Sequence, residues 1–170
     1  MIQINEYDSR FFKRDVYSIS LLPQEQVPSE LPDGLIIARI PAKNVMALQE
    51  AIGAGFEILC PMADLELSLE NLASKEFGKN VRIAKLADSK EIIDIAGRCF
   101  SLSRFHREQT MSPQASEYHK EWVKNCLNGN QADIVLVSGE SGNIDGFISI
   151  SYHRQERKAK IVLIGVSPEK

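Results

Sequence analysis

The segment from Ile134 to Val166, IVLVSGESGNIDGFISISYHRQERKAKIVLIGV, decides how the second half of this chain is read. Ile134 to Val137 has the β-branched, apolar content of a strand, and Gly139 to Asn143 has the small and polar residues of a turn. In the returning segment Ile144, Ile148, Ile150 and Tyr152 recur at even spacing, which predicts a hairpin with these side chains on one face. Ile161 to Val166 is continuously apolar, as expected of a strand covered on both faces. Between them, Arg154 to Lys160 carries four basic residues in seven and predicts a solvated turn.

Upstream of this segment the period changes. Val81 to Leu86 reads as a short strand. Asp88 and Glu91 have the spacing of a capping box ahead of Ile92, Ile95, Ala96, Cys99 and Phe100, whose recurrence predicts an amphipathic helix. Ser101 to Met111 is a loop rich in long polar and aromatic side chains. Ser112 and Pro113 suit the start of a second helix, with Tyr118, Trp122, Cys126 and Leu127 on its buried side and Gly129 past its end. His119 falls on the other side and is expected to be solvated. Glu117 and Glu121, interleaved with Lys120 and Lys124, predict an exposed charged face rather than a carboxylate pair. Residues 81–170 thus read β-α-α-β-β-β.

The first unit, residues 1–75, reads β-β-α-β-β. Val16 to Leu22 and Leu35 to Ile40 are strands separated by the turn-rich Pro23 to Gly34. Ala42 to Ala54 places Val45, Leu48, Ala51 and Ile52 on one helix face, closed by Gly53 and Gly55. Phe56 to Leu69, where Leu65, Leu67 and Leu69 alternate with Glu66, Ser68 and Glu70, predicts two strands or one bent strand. The polar tract Asn71 to Asn80 is the expected boundary between the units. The class is therefore α/β, an α+β mixture of helices and mixed sheet.

Composition narrows the functions available. Hydrophobic residues at 44% and charged residues at 25% of 170 are ordinary for a globular chain and exclude a long disordered tail. A formal charge of −3, from 20 basic against 23 acidic residues, gives no basic surface for phosphate backbones, so nucleic acid is not an expected partner. Apolar runs are far shorter than the ~20 residues that span a bilayer, so no membrane span is expected. Met1 to Arg14 carries Glu6 and Asp8 where a secretory signal would be apolar, which predicts a cytoplasmic location. Cys60, Cys99 and Cys126 form no metal-ligand spacing with His106, His119 and His153; they are expected to be buried structural thiols, with no metal bound.

The order of the second unit, ending in Leu163-Ile164-Gly165-Val166-Ser167-Pro168-Glu169, resembles the opening two thirds of a GNAT-superfamily acyltransferase. Val81-Arg82-Ile83, Asp88, Ile95-Ala96-Gly97-Arg98, Phe100, Ser103-Arg104-Phe105-His106 and Trp122-Val123-Lys124-Asn125 are similar to the TDP-fucosamine acetyltransferase branch. That branch also begins with an extra N-terminal unit, whose opening Asp8-Ser9-Arg10-Phe11-Phe12 resembles. The first unit in turn is similar to the closing third of such a domain, a degenerate GNAT-like half-domain. Its sheet is expected to lie beside that of the second unit, bringing strands near Ile37 and Leu163 into contact.

The resemblance implies an N-acetyltransferase in which an acceptor amine attacks the thioester of acetyl-CoA, with no metal. Leu163, Ile164, Gly165 and Val166 match the strand whose backbone amides receive the pantetheine arm, and Gly165 would admit a ligand closely. Arg104, Phe105, His106 and Tyr118 fall where the acceptor pocket is built: the arginine fork suits a nucleotide diphosphate, and Phe105 could stack on a base or sugar. The implied acceptor is a small-molecule amine, a nucleotide-linked amino sugar among the candidates. No general acid or base is matched. The superfamily's Gln/Arg-x-x-Gly-x-Gly/Ala loop, which holds the coenzyme A pyrophosphate, is expected after Val166 and does not occur in the sequence. The expectation is therefore an acyltransferase incomplete at its C-terminus, inactive as these 170 residues, with its apolar strand edge shielded by the N-terminal unit or by a second copy in a homodimer. Two alternatives stand beside it: a non-catalytic binding or scaffold module on a degenerate acyltransferase fold, and an unrelated small-ligand-binding α/β protein.

Overall fold

The computed structural model describes residues 1–68 and 80–170, which fold as two units, Met1–Pro61 and Met62–Lys170. The boundary expected at 71–80 lies, apart from Asn80, outside the described residues. Among the described residues there are two sheets and five α-helices, a mixture of α and β structure.

The first unit runs β1 (Ile2–Ile4), α1 (Glu6–Phe12), β2 (Val16–Ser20), β3 (Leu35–Arg39) and α2 (Val45–Gly53). Its sheet has the order β1-β2-β3, antiparallel and then parallel. The sequence reading missed β1 and α1. Asn5 starts α1, its Oδ1 accepting the Asp8 N–H at 3.0 Å, an N-cap signal within residues read only for a leader. Asn44 starts α2 in the same way and also donates to the Glu25 carbonyl at 2.8 Å, tying the proline-rich turn to the helix. Ile19, Leu21 and Ala47 form the core there. The strands expected over Phe56 to Leu69 are absent from 56–68, and Leu69 lies outside the described residues. Leu65 and Leu67 are exposed. Alternation marks a half-buried strand only where a neighbour supplies the ladder hydrogen bonds, and 56–68 joins neither sheet.

The second unit runs β4 (Val81–Ile83), α3 (Ser89–Cys99), the single turn α4 (Arg104–Arg107), α5 (Ala115–Leu127), β5 (Ile134–Glu140), β6 (Asn143–His153) and β7 (Lys158–Val166). The four strands are antiparallel in chain order. One sheet face carries Val135, Val137, Ile144, Phe147 and Leu163, packed against Ile92, Ile95 and Ala96 of α3 and Val123 and Cys126 of α5. The other face carries Val81, Ile83, Ile161, Ile164 and Val166, each more than half exposed, so β7 is not covered on both faces.

Two irregularities shape this sheet. Ser138 pairs with Gly146 but Gly139 with Ile144, leaving Asp145 as an extra residue in β6. The bulge shifts the side-chain period, so Ile144 and Phe147 share the helix face. Ile148, Ile150 and Tyr152 are less buried than Ile144 and fall opposite Phe147, which corrects the single face read from their even spacing. Further along, Ser149 pairs with Leu163 but Ile150 with Ile161, which makes Val162 the extra residue of β7. The buried Ser149 hydroxyl accepts the Leu163 N–H at 2.9 Å beside this second bulge.

The capping box expected from Asp88 and Glu91 does not form. Asp88 is fully buried and turns its carboxylate away from the helix start toward Arg82, which donates at 2.6 and 3.0 Å. Ser141 Oγ and the Lys85 N–H also donate to it, the latter at 2.7 Å. Glu91 reaches instead to the hairpin, accepting the Ile144 N–H at 2.7 Å and the Gly142 N–H at 3.2 Å. Both carboxylates therefore bind the β5–β6 turn to α3.

Candidate functional site

β7 is an outer strand of its sheet, and its pairing fixes which backbone groups face outward. The N–H of Leu163 donates to Ser149 and that of Ser167 to the Asp145 carbonyl at 2.8 Å, so the odd-numbered residues point their amides toward β6. By alternation the N–H and C=O of Ile164 and Val166 point to the open side. Their side chains are exposed, whereas Leu163 and Gly165 are buried.

The four residues matched to an acyl-arm strand thus differ in role. Ile164 and Val166 offer backbone donors at an accessible edge, and Leu163 belongs to the core. Gly165 does not leave room for a ligand: a Cβ built on it would lie 2.7 Å from Cys99 Sγ and 2.7 Å from the Phe147 ring. What approaches closely is the protein's own core. Gly165→Ala is expected to cost about 2 kcal/mol through overpacking, and Cys99→Ala to recover part of that loss in the double variant. Urea unfolding of the four chains checks this, and additive losses would refute the shared contact.

The loop between α3 and α5 folds around Phe105, which is 2% exposed on the single turn α4. Its ring centroid lies 4.2 Å from that of Tyr118, and the Arg104 guanidinium sits 4.5 Å above it. Phe105 therefore anchors the loop rather than offering a face to a base or sugar. Tyr118 is buried as well, edge-on to Trp122 at 5.7 Å. Arg104 and His106 remain half-buried at the surface of this aromatic cluster.

His119, expected to be solvated, is buried in the same cluster at 2% exposure. Its ring stacks on Phe100 at 4.7 Å and lies parallel to His106 at 5.6 Å. The missed signal was the stripe Ala115, His119, Val123 and Cys126, which repeats every three or four residues. His119 Nδ1 lies 2.7 Å from the Ala115 carbonyl, a contact that requires the proton on Nδ1. Burial, reinforced by the nearby positive charges of His106 and Arg104, lowers the imidazole pKa to about 4. The folded state therefore binds fewer protons than the unfolded state between the ordinary value of 6.5 and about 4. Stability is expected to fall as pH drops through that window, by up to about 3 kcal/mol, and to level off below it. Urea midpoints at pH 7, 5.5 and 4.5 for the native chain and His119→Phe measure the effect, which the variant should lack.

Lys120 pairs with Glu117 at 2.7 Å and Lys124 with Glu121 at 3.3 Å, the charged face expected on α5. Of the cysteines, Cys126 is buried but Cys60 and Cys99 are only half-buried; burial raises the pKa of Cys126 and Cys99. Among the described residues no cluster of three or more His, Cys, Asp or Glu is placed to hold a metal ion, and no helix is long and apolar enough to cross a membrane. No family model matches the chain, and no curated protein matches it.

Proposed function

We propose that the second unit is the acyl-donor side of a GNAT-type N-acetyltransferase, passing an acetyl group from acetyl-CoA to a primary amine. The observation that carries the reading is the bulged outer strand β7, with the backbone groups of Ile164 and Val166 turned to the open side and the β-α-α-β-β-β order leading up to it. An amine acting as nucleophile drives negative charge onto the thioester carbonyl oxygen, and fixed backbone N–H donors stabilise that charge. Acetyl-CoA supplies the activated acyl group. The outward amides fit its acyl arm, but no glycine-rich cradle for its pyrophosphate is found among the described residues; Gly53 and Gly55 lie at the end of α2, not at a helix start. The resemblance favours a nucleotide-linked amino sugar as acceptor.

Two measurements test this. The reading frame beyond Lys170 distinguishes the transferase, through Gln/Arg-x-x-Gly-x-Gly/Ala within a few codons, from a non-catalytic binding module, through a stop. In the protein translated from the whole frame, acetyl transfer is read as released coenzyme A thiol. Val166→Pro removes an outward N–H without breaking a ladder bond, and is expected to lower the rate by about 100-fold. Full activity in that variant would discard β7 as the acyl site. For the 170-residue chain alone, calorimetry is expected to detect no acetyl-CoA binding.

A further inference from the structure

The run Asp64-Leu65-Glu66-Leu67-Ser68 has the alternation of a half-buried strand, yet among the described residues it pairs with no strand of either sheet. Leu65 and Leu67 are left at 95% and 73% exposure. The run belongs to the second unit, where Glu66 meets Lys158 at 3.0 Å, the first residue of β7. An exposed ion pair contributes little stability by itself, about 0–1 kcal/mol. Its role here is positional, because it brings the run to the start of a strand whose outer edge is open.

The first half of that edge has the parity to receive it. The Asp133 N–H donates to the Ile150 carbonyl at 2.8 Å, and the Asp133 carboxylate accepts the Tyr152 N–H at 2.6 Å, so Ile150 and Tyr152 turn their backbone groups to the β5 side. Ser151 between them faces β7, where it pairs with Lys160. By alternation Ala159 and Ile161 direct their N–H and C=O outward, as Ile164 and Val166 do beyond the bulge. Ile161 pairs with Ile150, which puts its exposed side chain on the sheet face away from the helices. Lys158 lies on the other side of the strand. A run laid along this edge with Glu66 on the side of Lys158 has Leu65 and Leu67 on the side of Ile161, because side chains alternate in an extended chain. Charge, period and face thus agree on one placement.

We propose that the outer edge of β7 at Ala159 and Ile161 is a strand-addition site and that its occupant is residues 64–68 of the same chain. In the structure the run is tethered but unpaired; closing it adds a fifth strand to the sheet, held in register by Glu66 on Lys158, with Leu65 and Leu67 beside Ile161. Main-chain hydrogen bonds drive the addition, and the alternating leucines and acid select this segment. The closed strap covers half of an edge that otherwise offers a template to another copy. Ile164 and Val166 stay free, so the inference does not rest on the acyltransferase reading.

The test is deuterium exchange of the 170-residue chain at neutral pH, read amide by amide by NMR and corrected for the intrinsic rate of each residue. Ala159 and Ile161 are expected to exchange about threefold or more slower than Ile164 and Val166. Glu66→Lys should remove that difference, and Glu66→Lys combined with Lys158→Glu should restore it. Glu57→Lys, the same charge change at an exposed residue outside the run, should leave it unaltered. Equal rates at Ala159, Ile161, Ile164 and Val166 in the native chain overturn the strap, and so does protection that survives Glu66→Lys. Protection that grows with protein concentration assigns the edge to a second copy and overturns pairing within one chain. A failed acetyl-transfer assay leaves each of these outcomes untouched.

Discussion

Replacing Gly139 by alanine is expected to destabilise the second unit by about 3 kcal/mol, because backbone strain and steric overlap add at this one position. Gly139 has φ of +100°, a conformation that an L side chain adopts only under strain. A Cβ there would also lie 2.4 Å from the Asn143 carbonyl oxygen, a backbone atom that cannot rotate away. The residue is held on both sides: its N–H donates to the Asn80 carbonyl at 3.1 Å and its carbonyl accepts from Arg82 Nε at 3.1 Å. Relief by shifting the hairpin would undo the bulge at Asp145 and return Ile144 or Phe147 to the wrong face. Urea unfolding at neutral pH checks the value, and a loss below about 1 kcal/mol would mean that the turn relaxes freely.

Asp88→Ala is expected to cost about 2–3 kcal/mol, because it strands the Lys85 N–H and removes both acceptors of a charged Arg82 pair. Arg82 keeps 27% side-chain exposure and can regain water, which places the loss below that of a wholly buried pair. Hydrogen bonds from Arg82, then from Ser141, hold the Asp88 carboxyl far below the usual carboxylate range. Its contribution is therefore complete above about pH 4 and declines as pH falls below that value. Asp88→Asn, which keeps one carbonyl oxygen, should lose less at pH 7 and should flatten the acid limb of the stability curve. Equal acid limbs in the native chain and Asp88→Asn would show that other carboxylates govern acid unfolding.

What was legible in the chain was the pattern that burial imposes. Ile92, Ile95 and Ala96 announced α3, the apolar run to Val166 announced a strand, and Gly139 to Asn143 announced the hairpin of β5 and β6 before it. Three things were hidden, each for a physical reason. The bulge at Asp145 inverts a period of two without changing composition, so Phe147 rather than Ile148 faces the helices. Asp88 had the identity and spacing of a cap, but a better-placed partner, Arg82, lay six residues upstream on β4 and took the carboxylate. His119 is polar by identity, yet its position in the Ala115–Val123 stripe and one bond to its own helix allowed burial. The same blindness applied at the candidate site. Arg104, Phe105, His106 and Tyr118 do come together, but Phe105 and Tyr118 as packing and Arg104 with His106 at the rim. Helical spacing had already put Tyr118 on the buried side of α5, whereas nothing in the loop around Phe105 showed that its ring would be covered.

The alternation along β7 also makes this strand its own reporter in deuterium exchange. The amides of Leu163 and Gly165, turned into the sheet, should exchange only when the unit opens. Those of Ile164 and Val166 should exchange at rates near those of a free peptide. Protected and unprotected positions would then interleave residue by residue over four consecutive amides, a pattern that neither uniform fraying nor uniform burial produces. Anything that pairs with the outer edge, whether an acyl chain, a further strand or another molecule, would slow the even-numbered amides first and convert a comb into a block.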